Sequence, residues 1–130
     1  MIERDFIMRL IRQFMAALSR FSEKKSQQDD EEEIKKLYET YLGSYDFYHI
    51  STWDEVMKSF GQYPEQERMY RMEMLAELYY READLKSEPL REMLLDKAFN
   101  LFSFIDENSK TYSMDRKTKM NDIITKIKSS

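Results

Sequence analysis

His49 is the one histidine of the 130-residue chain, and it is the first place to look for chemistry. It sits in the run Tyr45-Asp-Phe-Tyr-His-Ile-Ser-Thr52, three residues after Asp46. If that run is helical, carboxylate and imidazole share a face and could act as an acid–base pair. A lone His with no Cys in the chain cannot build a structural zinc site or the paired Glu-x-x-His of a di-iron bundle. The expectation is therefore a surface or half-buried imidazole packed among aromatics. Glu73 and Glu77, at i and i+4, are followed by Glu82 and Asp84. Paired carboxylates do acid–base work only when burial pushes their pKa values apart. Arg68, Arg71 and Arg81 are interleaved with them, the arrangement of a solvated, salt-bridged helix face. With two glycines in the chain, no phosphate-cradling loop or nucleophile elbow can be assembled.

Aromatic residues are the second feature. Tyr38, Tyr41, Tyr45, Phe47, Tyr48 and Trp53 are denser than a core alone requires. Tyr and Trp bury area at low entropy cost and keep a polar handle, as binding hot spots need. The expectation is a small aromatic cluster closing one end of a bundle, with Tyr41, Tyr45, Tyr48 and Trp53 as the residues that could reach a partner. Of the ten methionines, Met69 and Met72 lie on a core stripe. Met8 and Met15 lie at the edge of the first helix, where an adaptable side chain could meet another protein.

These residues are positioned by helices. Apolar residues recur at helical spacing almost throughout. A first helix spans about Glu3 to Phe21, and the polar run 22–30 reads as a linker. Asp29 or Asp30 can cap a second helix that carries Ile34, Leu37, Tyr38, Tyr41 and Leu42 and stops at Gly43. Thr52-x-x-Glu55 is a capping box for a short helix that Gly61 ends. Pro64 starts a long helix to about Leu85 with the stripe Met69, Met72, Ala76, Tyr79 and Ala83. Ser87 is placed to cap a helix running to about Glu107, with Asn108 as its terminator, and Ser113 to cap a last one bearing Met120, Ile123, Ile124 and Ile127. The helix over 88–107 is apolar around about 240° of its circumference, so it belongs between 64–85 and 113–128.

Charge is uneven along the chain. Residues 1–25 carry +3, residues 26–109 carry −11 and residues 110–130 carry +4, for a net −4. The acidic middle argues against general nucleic-acid binding. The chain has no Cys, which removes disulfides and thiolate chemistry and makes the cytoplasm the expected location. The longest apolar run near the N-terminus, Phe14 to Leu18, is too short for a signal-peptide core or a spanning helix.

The first helix carries more apolar surface than one neighbour needs. Phe6, Ile7, Met8, Leu10, Ile11, Phe14, Met15, Ala17, Leu18 and Phe21 cover about 200° of its wheel. Each large apolar side chain left in water forgoes about 1.5–3 kcal/mol, so this face must be covered. Ile7, Leu10, Phe14, Ala17 and Phe21 have the spacing of a coiled-coil seam. With Phe6, Ile11 and Leu18 they form the expected interface, packing partly in the chain's own core and partly on a second copy. A different protein is the next cover to consider, and a membrane surface the third. Three arginines on a narrow polar face make a weak anchor.

Two stretches resemble known families. The segment Met74–Ser113, "MLAELYYREADLKSEPLREMLLDKAFNLFSFIDENSKTYS", resembles a tetratricopeptide-type helical hairpin. Leu75, Ala76 and Tyr79 look like its first-helix signature, with Ala76 where the pattern usually has Gly. Ala98 and Phe102 look like the small-then-aromatic signature of its second helix. The resemblance implies helical hairpins stacked side by side. Arg4 to Phe14, "RDFIMRLIRQF", is similar to the opening of short helical bacterial proteins classed only as a domain of unknown function. That likeness implies a bacterial, cytoplasmic protein and carries no reaction or cofactor.

The expected fold is thus all-α, with five to six helices in an antiparallel, tetratricopeptide-like hairpin array. One domain, 1–130, is expected to comprise the amphipathic helix 1–21, a linker 22–30 and a helical body 31–128. The expected function is a protein-interaction or scaffolding module without catalytic residues, cofactor or metal. It self-associates as a homodimer through the first helix and also offers a surface to an unidentified protein. A membrane-surface protein anchored by 4–21, or an enzyme with an unrecognised site, stay open as alternatives.

Overall fold

The computed structural model describes residues 2–21 and 27–129, with side chains for 5–20 and 29–129. Among these residues the chain forms seven α-helices and no strand. They are α1 (Ile2–Phe21), α2 (Gln27–Tyr41), α3 (Tyr45–Ile50), α4 (Trp53–Ser59), α5 (Glu65–Ala83), α6 (Leu90–Asn108) and α7 (Met114–Lys128). A 3₁₀ turn, Phe60–Gln62, follows α4. The sequence pattern gave no sign of α3. Ser44 caps it by accepting from the Phe47 N–H, and its six residues are too short for a periodic signal.

Several boundaries differ from expectation for local reasons. α2 starts at Gln27, so Asp29 and Asp30 stand in its first turn, where carboxylates complement the helix dipole, and are not its caps. Residues 22–26 of the expected linker lie outside the described residues. At the start of α6, Ser87 does not cap. The Glu88 carboxylate accepts from the Glu92 N–H at 3.0 Å instead. Two caps are where the sequence places them. Thr52 and Glu55 close a full capping box on α4, and Ser113 Oγ accepts from the Arg116 N–H at 3.1 Å.

Contacts group the chain into two compact units, Met1–Met74 and Leu75–Ser130, with α5 contributing to each. In the first unit α1 packs on α2, and Phe14 meets Tyr41 edge to face with ring centres 5.2 Å apart. Its buried residues include Ile7, Leu18, Ile34, Leu37, Tyr38, Tyr48 and Phe60. Gly43, just past α2, lets Tyr48 approach the backbone. A Cβ there would lie 3.3 Å from the Tyr48 hydroxyl.

The second unit holds the later part of α5 with α6 and α7. α6 buries Leu94, Leu95, Ala98, Leu101, Phe102 and Ile105, and α7 adds Ile123. These six α6 positions fill only about 120° of the wheel. Met93, Phe99 and Phe104 are half-buried and Leu90 is exposed, so the fully covered arc is about half the one expected. Two polar pairs join α5 to α7, and a third joins α7 to the residue just past α5. Glu77 pairs with Lys119, the Tyr80 hydroxyl donates to Asp122 at 2.5 Å, and Asp84 meets Lys126 at 3.5 Å. The partners are 42 residues apart where the separation is set by Glu77–Lys119 and Tyr80–Asp122, and Asp84–Lys126 continues the register. An unchanging offset means that the two helices run parallel. α6 joins α7 through the short turn at 109–113 and runs antiparallel to it.

Candidate interaction surfaces

The groups with chemical potential are used inside each unit. His49 is half-buried, its ring stacked on Tyr45 at 4.0 Å and edge-on to Tyr38 at 5.1 Å. Its Nδ1 lies 2.7 Å from the Tyr45 carbonyl, so this nitrogen serves the backbone of its own helix. The expected imidazole among aromatics is what the geometry provides. Arg71 donates to the Tyr41 carbonyl, binds Glu67 at 2.6 Å and lies over the Tyr63 ring at 4.5 Å. Tyr63 in turn donates to the Leu42 carbonyl at 2.8 Å. Together Arg71 and Tyr63 satisfy carbonyls that the end of α2 leaves without helical partners. Burial raises the Tyr48 hydroxyl to about 12, and its neighbours Tyr63 and Ser59 share the site.

The carboxylates of α5 depart from the expected solvated face. Glu67, Glu77 and Glu82 are all buried. Glu77 is neutralised by Lys119 and by Arg81 at 3.6 Å, and Lys119 also reaches Asp115 at 2.8 Å. Hydrogen bonding from Tyr80 holds the Asp122 carboxyl below the usual range, whereas burial and this same partner push the Tyr80 hydroxyl up. At the α6–α7 turn, buried Arg116 donates to Asp106 at 3.2 Å and to the Thr111 carbonyl at 3.0 Å. Lys117 completes that knot, at 2.6 Å from Asp106. Among the described residues no three His, Cys, Asp or Glu converge as metal ligands, and no helix is long and apolar enough to cross a membrane.

The surfaces are more telling. Of the interface residues expected on α1, Ile7, Phe14, Ala17 and Leu18 are buried within the chain. Leu10 and Ile11 are half-buried, Phe6 is 47% exposed, and the Phe21 side chain lies outside the described residues. The expected seam therefore faces the chain's own core over most of its length. α1 leaves two flanks uncovered: Phe6 on one side of its buried face and, on the other, Met8 and Met15 with half-buried Ile11 between them, at i, i+3 and i+7. Met8 is 40% and Met15 50% exposed. Arg12 stands between the two methionines, one turn from each.

Of the expected partner-contact aromatics, Tyr41 and Tyr48 are buried and Tyr45 is half-buried against His49. Only Trp53 is open, at 40%. It is joined at the α3–α4 junction by Ile50, 83% exposed, which the sequence pattern did not single out. An isolated Ile between His and Ser has no periodic partner to mark it. The exposed carboxylates Asp46, Asp54 and Glu55 surround this knuckle.

No family profile, curated protein or solved structure matches the chain.

Proposed function

We propose that the chain is a protein-interaction module that works without catalysis and self-associates as a homodimer through the open flank of α1. The observation that carries this reading is the stripe Met8–Ile11–Met15, apolar and only partly covered on a helix whose adjacent face is already seated in a core. Methionine on an open helical stripe adapts to a facing surface and gains by leaving water. The buried pairs Glu77–Lys119 and Tyr80–Asp122 and the Asp106–Arg116 contact tie helices together, which supports a structural use of these groups over a catalytic one. The Cys-free composition supports placing that role in the cytoplasm.

The finer architecture belongs to the same reading. We take α5, α6 and α7 as a tetratricopeptide-like array of antiparallel hairpins, supported by the parallel, constant-offset pairing of α5 with α7. Such arrays present side chains to partners and use their own helices as the frame.

The test is the mass in solution of Met8→Glu/Met15→Glu beside the unaltered chain. The reading predicts a dimer that becomes a monomer with its helical circular dichroism unchanged. A variant with the mass of the parent overturns it. Co-sedimentation of the unaltered chain, but not the variant, with anionic vesicles at a monomeric mass would assign the stripe to a membrane surface instead.

A further inference from the structure

Among the apolar side chains the first unit exposes are two patches with charges of opposite sign at them: Arg12 between Met8 and Met15, and carboxylates beside Ile50 and Trp53. The α1 stripe is bordered by Arg12, one turn from both methionines, and by Asp5, one turn before Met8; Arg9 and Arg20 stand farther round the helix. The knuckle Ile50–Trp53 is bordered by Asp46, Asp54 and Glu55, against Lys58 as the one cation of α3 and α4. Both patches stay open to solvent in the folded chain, so neither covers the other within one molecule. Glu55 is held by the capping box, which fixes that carboxylate on the rim.

We propose that the surface which receives the α1 stripe on a second copy is this knuckle, so that a dimer forms the stripe-to-knuckle contact reciprocally. The proposal rests on the self-association reading above and names its second face. Two stripes facing each other would bring Arg12 of each copy together over a methionine surface. A stripe on a knuckle places Arg12 among Asp46 and Asp54 and sets Met8 and Met15 against Ile50 and Trp53. Complementary charge around an apolar centre is the arrangement that selects one pairing over another. The indole and the methionine thioethers also suit each other. A two-fold axis allows this pairing because a residue on one patch then meets the other patch of its mate, and the converse holds.

Complementation between two variants tests the proposal. Met8→Glu/Met15→Glu spoils the stripe, and Ile50→Lys/Asp54→Lys spoils the knuckle; all four positions are exposed, and circular dichroism checks that both variants fold. Each variant alone should lose dimerisation affinity by at least about tenfold. Mixed, they should form a heterodimer, because each retains the face the other lacks. A knuckle variant that dimerises as well as the unaltered chain overturns this proposal while leaving self-association through α1 intact. A mixture that remains monomeric overturns it also. A stripe variant that still dimerises removes the underlying reading itself.

Discussion

Glu77 and Lys119 show how much one residue pair carries. Both are largely withdrawn from solvent, and removing Lys119 leaves the Glu77 charge under-compensated, with Arg81 at 3.6 Å still beside it. Lys119→Ala should destabilise the chain by about 3 kcal/mol in urea unfolding. Glu77→Gln combined with Lys119→Met should cost clearly less than the sum of the two single changes, because the orphaned charge is then gone. Tyr48 sets an alkaline limit. Its hydroxyl is ordinary at about 10 when unfolded and about 12 when folded, so the unfolded chain releases its proton first as pH rises. Stability from this residue is complete below pH 10 and is lost between about 10 and 12. Tyr48→Phe should flatten that part of a stability–pH profile. Asp122 acts at the other end. Its lowered carboxyl stabilises the fold above the ordinary carboxylate range, and that contribution fades as pH falls through the folded value. The burial of these groups was not legible beforehand. Arg residues interleaved with Glu on α5 fit a solvated face and a covered one equally. The signal that could have separated them was a second stripe, Lys119, Asp122 and Lys126, with the same i, i+3, i+7 spacing as Glu77, Tyr80 and Asp84.

At the scale of elements, punctuation was easier to read than length. Thr52, Pro64, Asn108 and Ser113 mark helix ends because each solves a local hydrogen-bonding or steric problem that needs no distant partner. α3 escaped because its stability comes from Ser44 and from Tyr38, Tyr45 and Tyr48 packing around it, contacts between residues that the spacing alone does not connect. Thr52→Ala removes the hydroxyl half of the α4 capping box and should cost about 1 kcal/mol, with Thr52→Ser restoring most of it. Thermal unfolding of the three chains reads this directly. The same reasoning explains the misplaced start of α6, where a carboxylate side chain at Glu88 does the work expected of Ser87.

For the whole molecule, the amphipathicity of α1 was plain and its direction was not. A wheel gives the width of an apolar face but not which part of it a core will claim. The core took Ile7, Phe14, Ala17 and Leu18, and left open Phe6 on one flank and Met8 and Met15, beside half-buried Ile11, on the other. Trp53 shares the outcome in reverse, since the aromatic segment around it turned inward and left it with Ile50 at the surface. The central claim is that an uncovered stripe on a seated helix is covered by another copy of the chain. Sedimentation equilibrium of the unaltered protein over a wide concentration range tests it most directly. The account predicts a reversible rise from the mass of one chain to the mass of two. A mass of one chain at every concentration would contradict it.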